Sequence, residues 1–177
     1  AIEELKENEF KELYDEPLEN KEYVKDITID TDMELLFPDD YVNNIAERLS
    51  LYTQLNNFKT EAELTEFETQ LIDRFGELPT QVVDLINSVR IKWVATKLGI
   101  EKVIMKQGKL ICYFINDQQS SFYQSPNFTK LLQYVQTHSQ ACKMKEKQTR
   151  NGLRLLLTFD NIKTVKKALT ALQPILE

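Results

Sequence analysis

Apolar positions recur at helical spacing in the first half of the chain and alternate at strand spacing in the second. Val42, Ile45, Leu49 and Tyr52 share one helical stripe, widened by Leu51, Leu55 and Phe58. Pro38-Asp39-Asp40 precedes it, and an aspartate there predicts the N-cap. Thr60-Glu61-Ala62-Glu63 is a capping box, because Thr60 and Glu63 can each satisfy the other's free amide. Leu64, Phe67, Leu71, Ile72 and Phe75 continue from it at helical spacing, and Gly76 is placed to end that helix in the left-handed conformation. Pro79 suits the first turn of a third helix, whose stripe is Val82, Ile86, Val89 and Trp93 and whose stop is Gly99. Short connections between the three predict antiparallel packing.

The period then shortens. Ile27-Thr28-Ile29-Asp30, upstream of the helices, alternates like a strand. Val103-Ile104-Met105 and Leu110–Ile115 flank Lys106-Gln107-Gly108-Lys109, a hairpin in which Gly108 takes the positive φ. Residues 116–125 read as a polar loop. Pro126 or Asn127 then opens a helix with Phe128, Leu131, Leu132 and Val135 on its stripe. Cys142 and Met144 alternate with lysines, Asn151-Gly152 signals a tight turn, and Leu153, Leu155, Leu157 and Phe159 alternate with Arg154 and Thr158. Asp160 is the expected cap of a last helix carrying Ile162, Val165, Leu169, Leu172 and Leu176. The fold class predicted is α+β: a helical half, then a mixed sheet of short strands with covering helices, strand-strand-helix twice over. That order fits an internal duplication, but the halves share no visible identity, so a plain mixed sheet is the simpler expectation.

Charge divides the chain. Residues 1–40 carry 15 acidic and 4 basic side chains, whereas residues 41–177 carry 13 acidic and 18 basic. The break predicts an acidic connector over 1–34 and a folded domain over 35–177. No apolar run approaches the roughly 20 residues of a membrane span, and the acidic N-terminus lacks the basic and apolar regions of a signal peptide. A cytoplasmic, monomeric protein without membrane contact is expected.

Candidate chemistry is sparse. Phosphate-binding glycine loops and the nucleophile elbow are missing from the sequence, and the four glycines each sit at a turn or helix end. Cys112 and Cys142 lie in apolar strands and read as reduced core thiols. His138, the single histidine, falls near a helix end, where it suits a capping role. Asp30 with Asp32, and Asp39 with Asp40, could hold a hard cation, but helix capping accounts for the second pair. No catalytic residue and no cofactor is expected. Lys143, Lys145, Lys147, Arg150 and Arg154 form a basic strand and turn that could meet nucleic-acid phosphates. Glu146 interrupts it, no aromatic residue is interleaved as a stacking platform, and lysines also guard exposed sheet edges.

Three segments carry a resemblance: Leu36-Phe37-Pro38-Asp39-Asp40-Tyr41-Val42, Arg48-Leu49-Ser50-Leu51-Tyr52, and Leu71–Gly76 with Leu78-Pro79. In this order and spacing they resemble the C-terminal domain of the bacterial transcription-repair coupling factor family, and Lys97-Leu98-Gly99-Ile100 fits the family's next helix end. The resemblance covers about residues 35–176, mainly as pattern after 116. It implies a non-catalytic regulatory domain of an ATP-driven DNA translocase that displaces stalled RNA polymerase. It further implies that the domain packs on a UvrB-like module of the same protein, masks the surface that binds UvrA and restrains the motor. The helix running into Asp73-Arg74-Phe75-Gly76 would supply that interface, with Asp73 facing basic residues and Arg74 beside it. Gln70 stands where a second acid is expected, which implies a weaker or differently paired contact.

Overall fold

The computed structural model describes residues 21–177. Residues 1–20 of the expected acidic connector lie outside them. Strand β1 (Thr28–Thr31) is followed by helices α1 (Ile45–Asn57), α2 (Glu61–Phe75) and α3 (Thr80–Lys97). Then come the hairpin β2 (Ile100–Lys106) and β3 (Lys109–Phe114), a 3-10 turn at Ser121–Gln124 and α4 (Pro126–Thr137). The hairpin β4 (Cys142–Thr149) and β5 (Gly152–Phe159), α5 (Val165–Leu172) and a closing 3-10 turn complete the chain. The α+β class and the repeated strand-strand-helix order are as expected. The five-stranded sheet runs β1-β2-β3-β5-β4, parallel at β1–β2 and antiparallel elsewhere.

The boundary drawn at residue 34 from charge does not hold for the fold. β1 pairs with β2 from Thr28↔Lys102 to Thr31↔Met105, and Tyr23, Val24, Ile27, Ile29 and Met33 pack against the sheet core. These apolar residues are spaced among acids, so a charge average over forty residues hides them.

Two hydrophobic clusters hold the chain. Phe37, Val42, Leu51, Leu55, Leu64, Phe67 and Leu71 fill the helical one, and the sheet with α4 and α5 fills the other. Helix α3 serves both. Its Val82, Ile86 and Val89 enter the helical cluster, while Ile91, Ala95 and the following Leu98 enter the sheet cluster. It therefore has two apolar faces where the sequence shows one.

Local rules decide most ends. The capping box at Thr60 forms as expected, with Glu63 N–H on Thr60 Oγ1 at 3.2 Å and Thr60 N–H on Glu63 Oε1 at 3.0 Å. Gly108 in the β2–β3 turn, at φ +74 after Gln107 at φ +55, matches a turn with both central residues in the left-handed region. The β4–β5 turn uses Arg150 and Asn151, with Gly152 already paired to Thr149. Gly76 does take positive φ (+88), but its ψ of −165° is extended rather than left-handed helical.

Two caps differ from expectation. Tyr41 and Val42 N–H both donate to Pro38 carbonyl, closing a turn, so the aspartates there cap nothing and α1 starts later, with Asn44 capping Glu47 N–H at 3.0 Å. Val42 is buried but lies before the helix, so it shares no helical face with Ile45 and Leu49, which are outward (66% and 61% exposed) while Leu51 and Leu55 are buried. At the last helix, Thr164 rather than Asp160 is the cap, because Asn161 at φ +57 first redirects the chain. The expected polar loop over 116–125 also hides a core residue: Phe122 is fully buried, its ring edge-on to Tyr23 at 5.4 Å and stacked on Phe114 at 6.2 Å.

Candidate functional site

The segments that carry the family resemblance converge on the C-terminal end of α2. Phe37 lies against Tyr52 with centroids 4.9 Å apart, and its N–H donates to the Tyr52 hydroxyl at 2.8 Å. Arg48 donates to Val42 carbonyl and pairs with Asp39 at 3.3 Å. Tyr41 reaches across to α2. Its hydroxyl faces the carbonyls of Gly76 at 2.9 Å and Leu71 at 3.3 Å, while its ring packs on Phe75 at 5.6 Å. Desolvation raises the pKa of this phenol, so it stays a donor at neutral pH. The phenol's single proton goes chiefly to the Gly76 carbonyl, just past the last helical residue, so a side chain from a distant turn anchors the point where α2 stops.

Asp73, Gln70 and Arg74 are exposed on this fixed end, but they do not act alike. Arg74 is engaged inside the domain, ion-paired to Glu47 of α1 and lying over the Phe75 ring at 4.7 Å. It ties α2 to α1. Ile72, expected in the buried stripe beside Phe75, is half-exposed at 48%. Asp73 points away from the cluster and has no ion-pair partner among the described residues. Glu66 precedes it by seven residues, two helical turns, and is exposed on the same face. Gln70, where the resemblance implies a second acid, is a neutral exposed side chain on the same helix.

The second candidate surface is the sheet. Lys143, Lys145 and Lys147 are exposed along edge strand β4, and Arg150 sits at its turn. Arg154 is not free as expected. Its guanidinium pairs with Glu101 and its Nε donates to Phe114 carbonyl at 3.2 Å. An aromatic residue is interleaved after all: Tyr113 lies under Arg154 at 5.2 Å and Lys147 at 6.0 Å. It comes from β3, so only strand pairing reveals it.

Among the described residues the candidate side chains assemble no catalytic constellation. His138 ends α4, stacked on Tyr134 at 3.9 Å with Nδ1 at 2.9 Å from Tyr134 carbonyl, in the capping position expected. Cys112 and Cys142 are free, buried thiols, and burial pushes the Cys112 pKa far above the usual range. Cys112 pairs with Leu157 and Cys142 with Phe159, one ladder step apart, in the apolar layer. Among the described residues no group of three His, Cys, Asp or Glu could hold a metal ion, and no helix is long and apolar enough to cross a membrane.

Comparison with known proteins gives a consistent set of relatives. The family model described as TRCF domain matches residues 31–125. The transcription-repair-coupling factor of Rickettsia conorii is 33% identical over 119 residues, which is 67% of this chain and 10% of that protein. That of Escherichia coli K12 is 44% identical over 71 residues, 40% of this chain and 6% of the relative. The chain thus spans about a tenth of the length of the curated relatives it matches. Among solved structures, the crystal structure of the C-terminal domain of a transcription-repair coupling factor aligns with TM-score 0.61 and 20% identity, covering 85% of this chain and 92% of that one. The match to that structure concerns the fold.

Proposed function

We propose, from the premise that this chain belongs to the TRCF domain family, that it is a non-catalytic clamp within a transcription-repair coupling factor. In this reading it packs on the UvrB-like module of its own protein, masks the UvrA-binding surface and restrains the DNA translocase until RNA polymerase is engaged. The observation that supports it is the pair of exposed carboxylates, Glu66 and Asp73, on the outer face of a helix whose end is held rigidly by Tyr41. Neither is consumed by an ion pair within the described residues. A rigid acidic ledge suits a basic partner surface. An exposed ion pair contributes only about 0–1 kcal/mol, whereas a desolvated interfacial pair costs about 2–5 kcal/mol to break. Two such pairs give a contact strong enough to hold and weak enough to release.

The test is calorimetric titration of this chain with the UvrB-like module, alongside Asp73→Arg and Glu66→Lys. Saturable binding weakened at least tenfold by either change, about 1.4 kcal/mol, is expected. In the full-length protein the same changes should raise basal ATP hydrolysis and UvrA binding. Full-length Asp73→Arg with unaltered ATPase and unaltered UvrA binding overturns the clamp.

A further inference from the structure

The sheet has a second face that no helix covers among the described residues. Helices α3, α4 and α5 all pack on the side bearing Val103, Met105, Leu110, Cys112, Leu157 and Phe159. On the other side, the ladder sets side chains in straight rows. One row crosses five strands as Thr28, Lys102, Tyr113, Leu156 and Lys145. The next crosses five as Asp30, Ile104, Ile111, Thr158 and Lys143. Each row therefore has an apolar or aromatic middle. Leu156 is 7% exposed although it belongs to neither core cluster.

Cations stand on both sides of this middle strip. Lys106 and Lys109 face each other at the β2–β3 end, and Lys147 pairs with Arg154 at the opposite end. Only some are neutralised within the fold: Lys106 by Asp30 at 2.9 Å and Arg154 by Glu101. Lys102, Lys109, Lys143, Lys145 and Lys147 take part in no ion pair among the described residues. Edge protection accounts for lysines on β4, but β2 and β3 are interior strands with nothing to protect. Their lysines call for a different cause.

We propose that this sheet face binds single-stranded nucleic acid, with the lysine rims on the phosphates and Tyr113, with the Arg154 guanidinium that lies over its ring, as the stacking surface. A flat strip with one phenol and two isoleucines offers contacts to the faces of unpaired bases. A duplex keeps those faces inside and would meet only the rims. The charge complementarity is that of a polyanion, and the platform selects the polyanion with planar rings. The inference is independent of the clamp, which uses the opposite half of the chain.

Fluorescence anisotropy of the 177-residue chain with a labelled oligothymidylate tests it, with a duplex of equal length and polyglutamate as parallel ligands. The single strand should bind most tightly, with log K falling about 0.7 per phosphate neutralised for each unit of log salt. Lys102→Gln and Lys145→Gln, on opposite rims, should each flatten that slope by about 0.7. Tyr113→Leu should weaken binding by about 5- to 100-fold while leaving the slope unchanged. All three positions are on the surface layer, and circular dichroism checks that the variants fold. No binding at low salt overturns the proposal. So does equal capture of polyglutamate, which would mark the face as a site for an acidic protein, or equal duplex binding that ignores Tyr113→Leu. An effect of Lys145→Gln without one of Lys102→Gln also overturns it, since the two-rim platform would then be absent.

Discussion

Replacing Gly99 by alanine tests how the two halves of the domain are joined. Gly99 sits between α3 and β2 at φ +67, where an L side chain costs about 1–2 kcal/mol. A Cβ there would come within 2.5 Å of Phe122 Cδ2 and 2.6 Å of Cγ. The ring cannot easily retreat, because Phe114, Tyr23, Tyr123 and Phe128 surround it at centroid distances of 5.4–6.2 Å. The backbone is held too, since Gly99 carbonyl accepts Ile115 N–H at 2.9 Å. Overpacking of this kind costs about 1–3 kcal/mol. Alanine also stiffens the unfolded chain, which returns about 0.4–1 kcal/mol. The net destabilisation expected is about 2–4 kcal/mol, a large part of a typical stability of about 5–15 kcal/mol. Urea denaturation followed by circular dichroism reads it as a lowered midpoint with unchanged slope. Gly99→Ala combined with Phe122→Leu should be less destabilised than the two single changes added together, because the smaller side chain relieves the clash. A loss below about 1 kcal/mol for Gly99→Ala, or strict additivity in the double variant, refutes the reasoning.

Two further outcomes follow from the same geometry. Tyr41→Phe leaves the Gly76 carbonyl without its donor and should cost about 0.5–1.5 kcal/mol; hydrogen exchange should quicken around residues 72–77 before the rest of the helical cluster. The Cys112 thiol titrates far higher in the folded chain than its ordinary value of 9.0, so the folded state retains a proton that the unfolded state loses. Stability is then complete below about pH 9 and falls above it, by up to about 1.4 kcal/mol per pH unit for this group. Urea titrations across that range should show the decline, and Cys112→Ala should make it shallower, with the raised tyrosines 41, 123 and 134 contributing only above pH 10.

What could be read beforehand follows a physical division. The capping box at Thr60, the turn at Gly108 and the strand alternation around Leu157 depend on neighbours within a few residues, and these match the structure. Phe122 was hidden in a polar stretch because one short turn has no period to detect. Val42 looked like part of one stripe with Ile45 and Leu49, but it lies in the turn closed on Pro38, so that stripe spans two different structures. The site was legible in the same uneven way. In the proposed clamp, Asp73 stands out through its motif, whereas Glu66 joins it only once the covered side of α2 is known. The lysines of β4 were visible as a run, whereas Tyr113, Lys102 and Lys109 join them only through strand register, a property of pairs far apart in sequence.

Helix α3 has a consequence for how this chain comes into being on the ribosome. The helical cluster lacks Val82, Ile86 and Val89 until most of α3 has emerged, and the same helix then offers Ile91 and Ala95 as the first seed of the sheet cluster. β1, made long before, must wait for Met105, the residue whose carbonyl accepts the Thr31 hydroxyl across 74 positions of chain. Synthesis therefore delivers an order: helices first, then the hairpin, then closure of the early strand onto it. A nascent chain halted within α3 leaves one cluster incomplete and the other unbegun, exposing apolar surface that a chaperone would recognise. One length of helix thereby makes two structurally distinct halves mature as a single product.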